Sequence, residues 1–141
     1  MTLPLPDMLC FALYSATHAI QGAYKPLLDD LGLTYPQYLV LVVLWGKDGQ
    51  TVGQIGRLLA LQSNTLTPLL KRMEVQGWLT RSRDAADERQ VRVALSPDGA
   101  AMQARAAQLP EAIRARTGLD VADLIDLRER ITALNRHLRQ G

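Results

Sequence analysis

The sequence predicts a mainly α-helical fold carrying one small β-hairpin. Two observations predict it. Apolar residues recur at steps of three and four along most of the chain, whereas LTRSR and QVRVAL, separated by the polar DAADER, alternate with period two. At 141 residues and 48% apolar content the chain is one domain in size and long enough to bury a core. No segment is long and apolar enough to span a bilayer, and MTLPLPDMLC lacks the basic start of a secretory signal, so a cytoplasmic protein with no membrane partner is expected.

Each element follows from local chemistry. Asp7 is placed to cap a first helix running to about Leu28, and Gly32 marks its end. PQYLVLVVLWG is so uniformly apolar that it should form the buried centre of the domain, followed by a turn from Gly46 to Gly49. Thr51 with Gln54 three residues on is a capping box opening a short helix through Leu59. The next helix begins near Ser63. Its Leu66, Leu69, Leu70 and Met73 should face the core, leaving Asn64, Thr65, Thr67, Pro68, Lys71 and Arg72 on the opposite face. Pro68 removes a backbone donor and is expected to distort the first turn after a cap at Ser63.

After Gly77 the two strands form a wing, with Val91, Val93 and Leu95 pointing inward and Arg83, Arg89 and Arg92 lying on it. Ser96, with Pro97 just inside, starts another helix, and Ala112 to Arg116 reads as a solvated, Arg-rich face. Leu124, Leu127, Ile131, Leu134 and Leu138 form a coiled-coil seam that wants a partner helix. That partner is either this chain's own first helix or a second copy, and a homodimer is favoured because a winged reader generally needs two half-sites.

Charge is unevenly spread. The net charge is +2, but between Arg57 and Arg92 seven cations (Arg57, Lys71, Arg72, Arg81, Arg83, Arg89 and Arg92) face four anions (Glu74, Asp84, Asp87 and Glu88). Positive charge is thus concentrated on the helix beginning near Ser63 and on the wing, where a DNA contact would need it. Short polar side chains at that helix's N-terminus can meet base edges and phosphates, the basic pair Lys71 and Arg72 suits the phosphate backbone, and a narrow minor groove attracts a wing guanidinium.

Other chemistries are poorly supplied. The single cysteine, Cys10, excludes an intrachain disulfide and leaves too few ligands for a thiolate metal site. His18 and His137 are spaced for no metal, so neither metal nor cofactor is expected. Without a second cysteine or an acid/base pair to support turnover, an enzyme such as a thiol peroxidase is not expected. Judged alone, Cys10 would more often be a small buried hydrophobe than a sensor. Tyr24, Tyr35 and Tyr38 could all be core aromatics with one wet end, Tyr38 foremost, and Trp45 and Trp78 read as packing.

LCFALY, YKPLL, LGLTYPQYLVLVVLW, TLTPLLKRME and DERQVRV, in this order and spacing, resemble the OhrR group of MarR-family repressors, which sense organic hydroperoxides. The likeness covers nearly the whole chain from Leu9 onward. DER in the wing marks the family, whereas the cysteine of LCFALY together with TYPQY marks the subgroup. The resemblance implies a winged helix-turn-helix homodimer, with residues 1–34 and 97–141 as dimerisation helices and 35–96 as the DNA-binding region. It implies a pseudo-palindromic double-stranded operator, released on oxidation.

Carried over by position, the resemblance makes Cys10 the peroxidatic cysteine. It makes Tyr24 and Tyr35 the tyrosines whose hydroxyls meet that sulfur from the partner subunit, with Tyr14 a further aromatic near the pocket. Ser63, Asn64, Thr65, Thr67, Lys71 and Arg72 fall on the recognition helix, Arg89 is the wing-tip arginine oriented by Asp87, and Arg83 lies beside it. The chain departs from the family's common Asp-Ser-Gly before TLTP by carrying Gln62, Ser63 and Asn64, which bears on operator preference and on how the helix is capped. With no second cysteine, the one-cysteine mode is expected, in which a small cellular thiol forms a mixed disulfide with Cys10 or overoxidation follows. The alternative reading is a MarR-like repressor released by a phenolic or other small ligand, with Cys10 incidental.

Overall fold

The first helix, α1, spans Leu9–Asp29 in the computed structural model, which describes residues 2–140. Met8 is its N-cap, without a side-chain cap bond. The expected cap at Asp7 is therefore corrected. Asp7 is used up in a 3-10 turn, Leu5–Asp7, where its N–H donates to the Pro4 carbonyl at 2.9 Å. A capping residue needs extended backbone, and here Met8 supplies it.

Two capping boxes of the same design open the next helices. Thr34 and Gln37 exchange bonds at the start of α2, Tyr35–Gly46, and Thr51 and Gln54 do so at the start of α3, Val52–Leu59, as the sequence predicts for the second. Between them Gln50–Thr51 forms a two-residue strand, β1. The α2 helix is the expected buried centre, with Val40 and Leu41 fully buried and Leu44 nearly so.

Helix α4, Ser63–Val75, buries Leu66, Leu69, Leu70 and Met73, the face its spacing predicts. Its N-cap is Gln62, which makes no side-chain cap bond, so Ser63 is the first helical residue and not the cap. The expected distortion by Pro68 does not occur, and the helix is continuous through it. Pro68 lies past the first turn, where Leu66 N–H already reaches the Gln62 carbonyl at 2.9 Å, and only one later bond is missing, on an exposed face.

The wing strands β2, Leu79–Arg83, and β3, Val91–Leu95, pair antiparallel with Leu79 opposite Leu95 and Arg83 opposite Val91. Strand β1 adds to the other edge of β3, giving the order β1-β3-β2. Of the three expected inward residues, Val93 is fully buried while Val91 and Leu95 are only half-buried. Helix α5, Pro97–Ala106, follows with Ser96 as a true cap. Its Gly99 lies so close to the Trp78 carbonyl that an added Cβ would sit 2.0 Å from that oxygen. Ile55, Leu66, Leu70, Met73, Leu79, Val93 and Met102 complete a core drawn from every layer of this part of the chain.

These elements make one compact unit ending at Ala107, and the residues from Gln108 onward make a second. In the second unit, α6 spans Leu109–Thr117 and α7 spans Val121–Gln140. Gly118, left-handed at φ 72°, breaks the chain between them, and Asp120 starts α7 by accepting the Asp123 N–H at 2.8 Å. The face containing Arg114 is partly tied down, because Glu111 holds the guanidinium and Leu119 accepts from its Nη1 at 3.2 Å. No residue of α7 is buried.

Candidate thiol site and nucleic-acid interface

Cys10 is the second residue of α1 and is exposed. No side chain caps α1, so its first-turn N–H groups can solvate negative charge beside the sulfur. Around it Leu9 and Phe11 are exposed and Leu13 is half-buried. Within one chain the sulfur stays open to solvent.

Tyr24 lies near the other end of the same helix. The helical rise separates it from Cys10 by about 21 Å. There Tyr24 joins Tyr35 and Tyr38 in a cluster, with ring centroids 5.0 Å apart for Tyr24 and Tyr35 and 5.7 Å apart for Tyr24 and Tyr38. Burial, reinforced by the neighbouring Tyr38 and Tyr35, pushes the Tyr24 phenol up to about 12. Burial also raises Tyr35 and Tyr38. All three phenols therefore stay protonated at neutral pH and act as O–H donors. Tyr38 is buried, as expected, and packs edge-on against Trp45. Tyr14 stands apart from the cluster, 64% exposed, with its ring tilted against that of His18 at 4.4 Å between centroids. A cleft of about 310 Å³ opens beside Tyr35, lined also by Gly22, Lys25, Leu28 and Leu33.

A second cleft, of about 360 Å³, lies between the recognition-type helix α4, the start of α3 and the wing. It brings together Ser63, Thr67 and Arg89 from the expected set and adds Arg57, Gly53 and Gln90. In the sequence Arg57 stands out only as part of the positive stretch, and its signal is that charge together with its place in the last turn of α3. Asn64, Thr65, Lys71 and Arg72 are exposed along α4.

The wing's arginines do different jobs. Arg89 is 91% exposed, and Asp87 holds it through Nε at 3.1 Å and Nη2 at 3.4 Å while also accepting its backbone N–H. Those bonds keep the Asp87 carboxyl below its ordinary range. Arg83 donates to the Glu88 carbonyl at 2.9 Å, bracing the loop. Arg92 lies on wing strand β3 as expected, but its guanidinium is engaged, donating to Asp84 at 3.1 Å and to the Gly49 carbonyl. It lies in the middle strand, where the β1 turn offers an acceptor, so its guanidinium ties the edges of the sheet together. Glu74, near the end of α4, accepts from the Arg81 backbone N–H at 2.8 Å and from its guanidinium, which joins the helix to β2 and lowers the Glu74 carboxyl.

Comparison with known proteins places these features in a family. The family model described as transcriptional regulator SarA/Rot matches residues 22–104. The organic hydroperoxide resistance transcriptional regulator of Bacillus subtilis is 43% identical over 98% of this chain and 94% of its own length. The HTH-type transcriptional regulator TtmR of Methylorubrum extorquens is 43% identical over 97% of this chain and 71% of its own. Among solved structures, reduced AbfR bound to DNA superposes with a TM-score of 0.80 at 36% identity, covering 97% of this chain and 96% of the other. AbfR has also been solved in overoxidized and disulfide-formed states.

Proposed function

Because the chain belongs to the MarR family of DNA-binding transcriptional regulators, in its one-cysteine OhrR-like group, we propose that it is a homodimeric repressor that leaves its operator when an organic hydroperoxide oxidises Cys10. Like its relatives, the chain is a regulator and not an enzyme. No described helix is long and apolar enough to cross a membrane.

The observation that carries the proposal is the place of Cys10. It is the chain's one thiol, exposed in the first turn of an uncapped helix, while the phenols that could donate to its sulfur lie in a separate cluster. A second copy supplies what one chain lacks. In the dimer, Tyr24 and Tyr35 of one protomer meet the Cys10 sulfur of its partner, with Tyr14 at the edge of the pocket. Support for the seam comes from Leu127, Ile131 and Leu138 on α7 and from Leu9 and Ile20 on α1, all of which are exposed. Residues 1–34 and 97–141 make this interface, and residues 35–96 carry the DNA reader.

The chemistry is a displacement. A free thiol titrates near ~8.5, so donors that favour the anion raise the reactive fraction. The thiolate attacks the distal peroxide oxygen, the O–O bond breaks, and the alkoxide leaves as an alcohol after taking a proton. Cys10 becomes a sulfenic acid. A small cellular thiol then displaces water from it and forms a mixed disulfide. The added bulk drives Tyr24 and Tyr35 away and moves the two α4 helices off the ~34 Å spacing of successive half-sites.

On the DNA, Ser63, Asn64, Thr65 and Thr67 meet base edges and sugar-phosphate. Lys71 and Arg72 bind phosphates, and Arg89, held by Asp87 and flanked by Arg83, enters the minor groove.

The cleft beside Tyr35 favours one rival, a phenolic ligand that releases the operator without oxidation. Operator binding is followed while cumene hydroperoxide or salicylate is added. Release by stoichiometric peroxide alone supports the redox reading, and release by salicylate alone replaces it with the rival.

A further inference from the structure

Gln37 makes a bond that neither site explains. As the third residue of α2 it closes the capping box, accepting the Thr34 N–H at Oε1 (3.1 Å) while its own backbone N–H donates to Thr34 Oγ1 (3.3 Å). The first of these bonds fixes the amide's orientation and leaves Nε2 as a donor pointing elsewhere. Nε2 donates to Oε1 of Gln76 at 2.9 Å, thirty-nine residues away. Gln37 is 3% exposed, so its amide depends on this bond far more than the exposed Gln76 does. Gln76 is the C-cap of α4. One buried side chain therefore joins the turn that carries Tyr35 to the end of the helix that carries the groove-facing residues.

The tie continues beyond Gln76. Two residues earlier, Glu74 holds the backbone and guanidinium of Arg81 in β2, so the end of α4 is fixed on one side to the tyrosine-bearing turn and on the other to the wing. An N–H···O contact stops being a hydrogen bond beyond about 3.5 Å. A shift of the α2 turn on the order of 1 Å must then leave the buried Gln37 amide unpaired, be followed by the exposed Gln76 side chain, or carry the end of α4 with it.

We infer that the Gln37–Gln76 hydrogen bond transmits displacement at Tyr35 to α4 and the wing, so that these two glutamines are positioning residues of the switch. The inference rests on the reading of Cys10 as the oxidised trigger. It adds that the signal leaves the thiol site through the start of α2.

The readout is the ratio of operator dissociation constants for the oxidised and reduced full-length protein, measured for wild type, Gln76→Leu and Gln76→Glu. Cys10 oxidation is followed separately by mass spectrometry. Gln76→Leu removes the acceptor and should reduce the ratio by roughly tenfold, with the rate of Cys10 oxidation unchanged. Gln76→Glu keeps an acceptor oxygen and should restore the ratio to within about twofold of wild type. If Gln76→Leu no longer binds the operator when reduced, Gln76→Ser, a shortening at an exposed helix end, is measured in its place and should show the same loss of ratio.

A purely structural bond would lower melting temperature or reduced-state affinity and leave the ratio intact, and that result overturns the inference. If wild type itself shows no difference between oxidised and reduced protein, the Cys10 reading fails instead, and the two failures are distinct.

Discussion

Cys10 and Tyr24 lie on one continuous helix, about 21 Å apart along its axis, so a single chain cannot bring that sulfur to that phenol. Tyr24 and Tyr35, by contrast, are in ring contact at 5.0 Å. A site that joins that sulfur to those phenols would therefore have to be built across two chains. Mixed dimers test this. A C10S protomer paired with a Y24F/Y35F protomer retains one complete site if the phenols act across the interface and none if they act within a chain. The mixed dimer should react with peroxide at half the wild-type amplitude and at the wild-type rate. The Y24F/Y35F homodimer should be slower by about tenfold. A mixed dimer as slow as that homodimer would place the phenols in the same chain as the thiol they serve.

Arg89→Ala should weaken operator binding by about 1–3 kcal/mol while leaving the rate of Cys10 oxidation unchanged. Asp87→Ala frees the same guanidinium from its holder and should cost less. Fluorescence anisotropy across a salt series measures both, and an unchanged affinity for Arg89→Ala would remove the wing tip from the contact.

Arg57 lines the cleft with Ser63 and Arg89, which places it where a backbone phosphate would pass. Arg57→Ala should weaken binding to all sequences alike and reduce the slope of log K against log salt by about 1. An unaltered slope would mean that Arg57 meets only solvent.

Tyr24 titrates near 12 in the folded chain against an ordinary 10.0. In that interval the unfolded chain loses the proton that the folded chain keeps, so stability is fully present below pH 10.0 and falls as pH rises toward 12. Urea midpoints measured on either side of pH 10 should show this fall, and Tyr24→Phe should flatten it. A midpoint indifferent to pH in wild type would contradict the burial assigned to this phenol.

Gly99→Ala should destabilise the fold by at least about 2 kcal/mol, because the new methyl would meet the Trp78 backbone carbonyl at 2.0 Å, a group that cannot rotate away. A urea midpoint equal to wild type would show that α5 can slide off the sheet without cost.

What the sequence showed and what it concealed divide along the range of the interactions. Leu66, Leu69, Leu70 and Met73 were legible because a helix's buried face repeats in the sequence, and Thr51 with Gln54 because a capping box is a local spacing. The same local spacing at Thr34 and Gln37 stands directly before the apolar run of α2. Strand β1 has only two residues and exists because β3 pairs with it, a contact with no periodic trace. Arg92 looked like a wing cation because alternation assigns a face but does not reveal an acceptor such as the Gly49 carbonyl. Gln37 and Gln76 meet only in three dimensions. The cysteine and the tyrosines could be named from the resemblance, and the helix expected from Asp7 to about Leu28 already separates Cys10 from Tyr24, whereas the contact of Tyr24 with Tyr35 emerges only in three dimensions.

The most direct measurement follows operator occupancy while one equivalent of cumene hydroperoxide is added with a small thiol present, for wild type and Cys10→Ser, with the mass of the Cys10 peptide read at each point. Wild type should leave the DNA in step with the appearance of the mixed disulfide, while Cys10→Ser should stay bound throughout. Equal release of both proteins, or full Cys10 modification with the operator still occupied, would contradict the account.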